Sequence, residues 1–247
     1  KPALQENDFS TNDAAPALLK VGSNDEITRF VSVFKWEHRK GWDILLDAYW
    51  TAFDKDDPIE LHIRTYKPSW ESGTKNIDEI LEHHARAFVE RQGLSSEQNA
   101  RHLLPVVRWE KGALSRSQLR AFYHKASAFV LPTRGEGWCL PAVEAMSMAL
   151  PVIVTDFSGP SAYISTDRAY PIGVAPTLNR DGTAEPLLSD VVESMRRVAA
   201  RPKDASLVGK RARRWVQEHL DTHIIARHVK KSITLLLRDR YSSNTEL

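Results

Sequence analysis

The sequence predicts an α/β fold in which helices cover both faces of a doubly wound parallel sheet, followed by C-terminal helices. From about residue 28, short runs rich in β-branched and aromatic residues alternate with segments of helical periodicity, the pattern of successive βαβ units. In a chain of 247 residues, 42% hydrophobic residues suffice for an ordinary buried core. Residues 1–27 are polar and without periodicity, so we expect a linker there and one domain over residues 28–247.

The strands and helices are predicted in the following order. Strands are expected at residues 29–34, 59–64, 103–108, 128–131, 152–155 and 169–172. The runs at 128–131 and 152–155 are continuously apolar, which is typical of strands covered on both faces. Helices are expected at 42–53, 77–92, 115–125, 141–148 and 190–200, with a helical tail from 204 to about 240. Ser115 and Gln118 form a capping box, and Ser189 is a candidate cap for the helix that follows it.

The composition excludes several classes of function. Thirty-four Lys and Arg against 32 Asp and Glu give a net charge of +2, so no global field favours nucleic acid or an anionic membrane as a partner. Cys139 is the single cysteine, which excludes an internal disulfide and a multi-cysteine metal site and fits a reducing, cytoplasmic compartment. No run approaches the roughly 20 apolar residues of a membrane span. The chain starts at Lys1 rather than Met, so a fragment or a processed chain is expected.

The strongest candidate for a ligand site is the segment RGEGWCLPAVE, residues 134–144, which lies between two predicted strands. Gly135 and Gly137 allow a close approach of the backbone, and Pro141 suits the first turn of a helix. Amides at a helix start attract an anion. Glu136 in the loop and Glu144 one turn into the helix can both reach one ligand. A nucleoside-diphosphate sugar has this shape, with hydroxyls at both ends and a diphosphate between them.

A second, basic loop follows the first predicted strand. It contains Lys35, Arg39 and Lys40 within the segment FVSVFKWEHRKGWDILL, residues 30–46. Ligands of open α/β sheets bind outside the carboxyl ends of the strands, so the loops after residues 34, 108, 131 and 155 should converge on one site. A D-x-D spacing at Asp54 and Asp56, which elsewhere holds metals, follows a helix and precedes a strand. We therefore interpret it as a solvated turn at the opposite edge of the sheet.

These motifs together resemble the donor-binding domain of retaining family 4 glycosyltransferases of the GT-B fold. The resemblance rests on Glu136-x7-Glu144, on VIVTD at 152–156 with Ser158-Gly159, and on the basic loop, and it runs from about residue 29 to about 220. It implies a Rossmann-like half of a GT-B enzyme that transfers a sugar, with retention of configuration, from a UDP- or GDP-linked donor to an unknown acceptor. It also implies a missing N-terminal domain for the acceptor, of which residues 1–27 would be the remnant or linker.

The resemblance also implies roles for individual residues. Lys35 and Lys40 would hold the diphosphate and stabilise its departure without a metal or other cofactor. Glu136 would accept hydrogen bonds from sugar hydroxyls, and Glu144 from the ribose. The remaining donor-binding residues would be the loop amides of Gly137, Trp138, Cys139 and Leu140, the segment Arg108–Trp109 beside the nucleobase, and the turn at Gly159.

Some features of the sequence depart from this family or leave alternatives open. Trp138 and Cys139 stand where Phe and Gly are usual in the family, which narrows the expected sugar pocket. Lys35 stands where an Arg is usual, so it supplies charge but not the bidentate hydrogen bonds of a guanidinium. Cys139 is expected to pack rather than to act as a nucleophile, and Trp109 serves equally well as a packing residue. A non-catalytic nucleotide-sugar binding or regulatory module is the alternative function, and a sugar-nucleotide epimerase is a third.

Overall fold

The computed structural model describes residues 27–69, 76–94, 100–112 and 114–242, so the predicted linker lies outside the described residues except for Ile27. The strands are β1 (Thr28–Lys35), β2 (Ile59–Tyr66), β3 (Val107–Lys111), β4 (Ala128–Leu131), β5 (Val152–Thr155) and β6 (Tyr170–Ile172). The helices are α1 (Trp42–Ala52), α2 (Ile77–Arg91), α3 (Arg116–His124), α4 (Leu140–Ser147), α5 (Leu188–Ala200), α6 (Pro202–His219) and α7 (Thr222–Ser242). Short 3-10 helices occupy His38–Lys40, Ala100–Leu103 and Gly159–Ala162.

The strands form one parallel sheet in the order β3-β2-β1-β4-β5-β6. The strand order reverses between β1 and β4, and in doubly wound sheets this switch point is where the loops part and leave a ligand crevice. The predicted doubly wound sheet is confirmed. The loops that follow β1, β4 and β5 leave the same edge of the sheet on neighbouring strands, as the sequence predicted.

The core lies between the sheet and its helices. All residues of β4 and β5 are buried, as expected for strands covered on both faces. Helix α1 packs against α5 on one face, and α4 packs against α6 on the other. Gly209 permits the second contact, because a Cβ there would overlap the carbonyl oxygen of Ala149.

Three local predictions were wrong. The third strand begins at Val107 and not at residue 103, because residues 100–103 form a 3-10 turn that Pro105 separates from the strand. Ser189 does not cap α5, which starts one residue earlier at Leu188, and its hydroxyl contacts Asp190 instead. The helical tail is broken after α6, where the Asp221 side chain accepts from the amide of His223 and starts α7 anew.

Candidate functional site

The loops after β1 and β4 are fastened to each other at the switch point. Gly41 ends the 3-10 turn with φ 66°, and any Cβ there would overlap the carbonyl oxygen of Pro132. The amide of Arg134 donates to the carbonyl of Arg39 at 2.8 Å, and the Thr133 hydroxyl donates to the same carbonyl at 3.1 Å. The two loops therefore form one rigid wall of the crevice.

A buried arginine strengthens this junction. The Arg134 guanidinium donates twice to Asp43 of α1, both at 2.8 Å, twice to Glu185, at 2.8 and 2.7 Å, and once to the carbonyl of His38 at 2.8 Å. Its side chain is only 5% exposed. Burial alone would raise the pKa of the Asp43 carboxyl, but the hydrogen bonds and charge of Arg134 outweigh burial and lower it. The arginine is fully engaged within the protein and serves as a structural tie.

Glu136 lies where the two loops meet, surrounded by cations. The Lys40 ammonium donates to its Oε1 at 2.5 Å, and Arg39 approaches its Oε2 at 3.5 Å. The Thr133 hydroxyl lies 3.3 Å from Oε1. The side chains of Lys40 and Glu136 are 13% and 9% exposed, so this ion pair is largely withdrawn from bulk water. The structure thus joins two residues that the sequence placed 96 positions apart.

The loop after β4 turns into α4 through an unusual residue. Cys139 precedes the helix in the left-handed region, at φ 61° and ψ 64°, a conformation that favours glycine. Pro141 occupies the first turn, as predicted. In the described part of the chain, the amides of Gly137, Trp138, Cys139 and Leu140 donate to no other group. Four donors at a helix N-terminus suit an anionic or hydroxylated ligand.

The Cys139 thiol is a packing group. It is buried, and burial followed by the charge of Glu136 raises its pKa to about 12. A thiol with this pKa is protonated at neutral pH and is a poor nucleophile. The packing role predicted from the sequence is confirmed. Beside it, the Trp138 ring packs against the ring of Tyr163, with centroids 5.2 Å apart and planes tilted by 49°, while 38% of the Trp138 surface stays exposed.

The second acid, Glu144, is held from α3. The buried Tyr123 hydroxyl donates to Glu144 Oε2 at 3.0 Å and lies 3.3 Å from the carbonyl of Pro141. Burial, and then the charge of Glu144, raises the pKa of Tyr123, with a further contribution from Cys139. Glu136 in turn raises the pKa of Cys139. Glu144 thus lies beside Tyr123, and Glu136 lies close enough to Cys139, the residue before α4, to affect its pKa.

A third loop, after β5, closes the site. Ser158 Oγ accepts from the amide of Glu136 at 2.9 Å and donates to its carbonyl at 3.0 Å. The amide of Gly159 donates to that same carbonyl at 2.9 Å. A Cβ on Gly159 would overlap the carbonyl oxygen of Gly137, so only glycine permits this approach. By contrast, a side chain on Gly137 would meet nothing within 4 Å.

Other predicted site residues lie farther out. Lys35 is the exposed last residue of β1. Arg108 and Trp109 are inside β3, which continues to Lys111, so the predicted strand end at these residues was wrong. Arg108 donates to Glu60 at 3.2 Å, and the Trp109 indole donates to Asp78 at 2.8 Å. Their contact with a nucleobase stays a prediction.

The acidic D-x-D segment forms a turn between α1 and β2, at the amino ends of the strands, as predicted. The amide of Asp54 donates to the Asp57 carboxylate at 2.8 Å. Among the residues that the structure describes, no group of three or more His, Cys, Asp or Glu side chains could hold a metal ion. A cavity of about 460 Å³ also lies at this far end, between α1, α2 and the segment before β3, with Trp50, Glu82 and Val106 in its walls. It is separate from the loops that carry Glu136.

The supporting roles of four residues were not predicted from the sequence, although Arg134 and Ser158 belong to the predicted motifs. Arg134, Thr133, Tyr123 and Ser158 all position the predicted residues through contacts between segments distant in the chain. A local signal was present at Cys139, which stands where the family resemblance has glycine and adopts a glycine-like conformation. Within the described residues, no helix is long and apolar enough to cross a membrane.

The fold and site together define a Rossmann-like α/β domain with a polar crevice at its switch point. The chain belongs to the family of glycosyl transferases group 1, whose sequence profile matches residues 26–185. Its fold is that of one half of a GT-B glycosyltransferase. A search of curated protein sequences found no match.

Solved structures share this fold. Sucrose-phosphate synthase from Thermosynechococcus elongatus is 19% identical with a TM-score of 0.62, over 87% of this chain and 47% of its own. Anabaena HepE, in complex with UDP and glucose, is 13% identical with a TM-score of 0.62, over 84% and 48%. The C-terminal domain of the Francisella tularensis group 1 protein LpcC is 14% identical with a TM-score of 0.57, over 84% and 95%. The chain thus spans about half the length of the first two proteins.

Proposed function

We propose that this chain is the donor-binding half of a retaining glycosyltransferase, which transfers a sugar from a nucleoside-diphosphate donor to an acceptor. The observation that carries the proposal is the Lys40–Glu136 ion pair at the switch point, beside the start of α4. The Lys40 ammonium matches the diphosphate of such a donor, and the Glu136 carboxylate matches the hydroxyls of its sugar. The amides at the start of α4 match the anomeric region between them.

The cationic side of the site would stabilise the leaving group. Lys40, with Lys35 at the end of β1, would neutralise the diphosphate as its bond to the sugar breaks. The amides at the start of α4 would add fixed dipoles that need no reorganisation during the reaction. Because Lys40 is largely withdrawn from water, its attraction to the diphosphate is screened less than that of a surface lysine.

The two acids would orient the ends of the donor. Glu136 would accept hydrogen bonds from the transferred sugar, since its backbone is bound by the loop after β5 and its carboxylate by Lys40 of the loop after β1. Glu144, held by Tyr123, would accept from the ribose. Charge-assisted hydrogen bonds of this kind are about twice as strong as neutral ones. The acceptor would attack on the face from which the diphosphate leaves, which gives retention of configuration.

The comparisons support a donor of the UDP type without excluding GDP. HepE was solved with UDP and glucose, and the pneumococcal O-GlcNAc transferase GtfA with UDP and GlcNAc. Because this chain spans about half of such proteins, we propose that a second domain supplies the acceptor site. A non-catalytic nucleotide-sugar module would use the same crevice, and transfer activity of the complete protein distinguishes the two functions.

Thermal unfolding against a panel of nucleotide sugars tests the proposal. A donor at a hundred times its dissociation constant adds about 2.7 kcal/mol, which raises the midpoint by about 5–11 °C for a domain of this size. Lys40→Met should remove the shift, whereas Lys55→Met, in the turn at the far end of the sheet, should keep it. If no nucleoside diphosphate or nucleotide sugar moves the midpoint, the proposed function is wrong.

A further inference from the structure

Ser158 adopts a backbone conformation that a serine rarely takes. Its φ of 56° and ψ of −132° lie in a region that favours glycine, because a Cβ crowds the neighbouring peptide groups there. Strain of this kind persists only where surrounding contacts compensate for it, and it is concentrated at functional sites. Gly159 follows directly, so the turn carries one obligatory glycine and one residue that would be less strained as glycine.

The compensation comes from contacts with Glu136. The Ser158 hydroxyl accepts from the amide of Glu136 at 2.9 Å and donates to its carbonyl at 3.0 Å. Together with the amide of Gly159, it engages both backbone polar groups of that residue. Lys40 meanwhile donates to the carboxylate, and Arg39 lies 3.5 Å from it. Glu136 is thus fixed through its backbone by the loop after β5 and through its side chain by the loop after β1.

We propose that Ser158 is a positioning residue, whose hydroxyl fixes the backbone of Glu136 so that the carboxylate is presented to the sugar of the donor. This inference rests on the proposed function. A glycine at 158 would relieve the strain and keep the turn, but it would release one side of the Glu136 backbone. Serine at position 158 therefore strains the backbone but orients Glu136.

A measurement without ligand tests the first half of the inference. In Ser158→Gly, amide hydrogen exchange of Glu136 should be about tenfold faster, because its acceptor is lost. The midpoint of thermal unfolding should stay within about 3 °C of the wild type, since relief of strain offsets the lost hydrogen bonds. Ser161→Gly is the matched control, because Ser161 is an exposed serine in the same turn, and it should leave the exchange unchanged.

A double-mutant cycle with the donor tests the second half. Calorimetry should show that Ser158→Gly keeps the affinity for the free nucleoside diphosphate and lowers the extra affinity for the intact nucleotide sugar by about tenfold. In a Glu136→Gln background the same substitution should change donor affinity less than about twofold, because its effect passes through Glu136.

The outcomes separate this inference from the proposed function. Unchanged exchange at Glu136 in Ser158→Gly would overturn the inference, as would an equal loss of donor affinity with and without the Glu136 carboxylate. A large fall in the unfolding midpoint, with faster exchange throughout the sheet, would show a purely structural serine and would also overturn it. If the wild type binds no nucleotide sugar, the proposed function fails, while the exchange experiment still decides whether Ser158 holds Glu136.

Discussion

Replacement of Arg134 by Met should lower the stability of the fold more than the same replacement of a surface arginine. The guanidinium makes five hydrogen bonds, four to the carboxylates of Asp43 and Glu185 and one to the carbonyl of His38. Methionine keeps much of the length of the side chain but supplies no donor. Two carboxylates would then face each other across the space that the cation occupied.

The magnitude follows from burial. Removing one partner of a buried ion pair costs about 3–5 kcal/mol, because the remaining charge is left without compensation. Asp43 is 24% exposed and Glu185 is 43% exposed, so water can partly rehydrate both. We therefore expect a loss near the lower limit, about 3 kcal/mol, which lowers the midpoint of thermal unfolding by about 6–12 °C in a domain of this size.

Urea and thermal unfolding, followed by circular dichroism, provide the assay. Arg91→Met is the matched control, because Arg91 also binds one carboxylate with two hydrogen bonds, to Asp47 at 3.1 and 2.9 Å, but is 51% exposed. An exposed pair of this kind contributes about 0–1 kcal/mol. Equal losses in the two variants, or a loss below about 1 kcal/mol in Arg134→Met, would refute the reasoning that burial makes Arg134 a structural tie.

Two further predictions concern Tyr123 and Asp43. Tyr123→Phe removes the donor to Glu144 and should lower affinity for a nucleoside diphosphate by about fivefold. Tyr49→Phe is the control, because it loses a buried hydroxyl bonded to the carbonyls of Ile59 and Val106 at the far end of the sheet. It should lower stability without changing this affinity. Equal affinities of the two variants in calorimetry would contradict this. Because the pKa of Asp43 is lowered in the folded state, its stabilising contribution is present above the unfolded pKa of about 3.9 and is lost as pH falls through the folded pKa. Urea unfolding of wild type and Asp43→Asn should therefore differ most above pH about 5, and the difference should shrink only as pH falls below about 4 and through the lower folded pKa of Asp43; a difference that does not change with pH would argue against the ion pair.

The parts of the fold that the sequence predicted are those with strong local signals. Strands β4 and β5 have continuous apolar runs, and their bounds agree with the prediction. The capping box at Ser115 starts α3 as expected. The third strand was misplaced because its apolar content is low and alternates with Arg108 and Glu110, as an edge strand permits. The break before α7 depends on a single capping residue, Asp221, within a pattern that reads as continuous helix.

The sequence predicted the charged residues of the site but not the residues that position them. Lys40 and Glu136 carry a recognisable motif, whereas Arg134 and its partners Asp43 and Glu185 are 91 and 51 positions apart, so no local pattern joins them. Ser158 likewise acts across 22 positions. Such contacts are consequences of the strand order, which brings the loops after β1, β4 and β5 together, and they become visible only once that order is known.

Calorimetry on a pair of variants tests the central claim most directly. For Glu136→Gln, affinity for the free nucleoside diphosphate should stay within about twofold of the wild type, while the extra affinity for the intact nucleotide sugar falls by about tenfold or more, since charge-assisted hydrogen bonds to the sugar are lost. For Glu144→Gln, the free nucleoside diphosphate should itself bind about tenfold more weakly. Equal losses for both ligands in the first variant, or unchanged nucleotide affinity in the second, would contradict the assignment of the two acids to opposite ends of one donor.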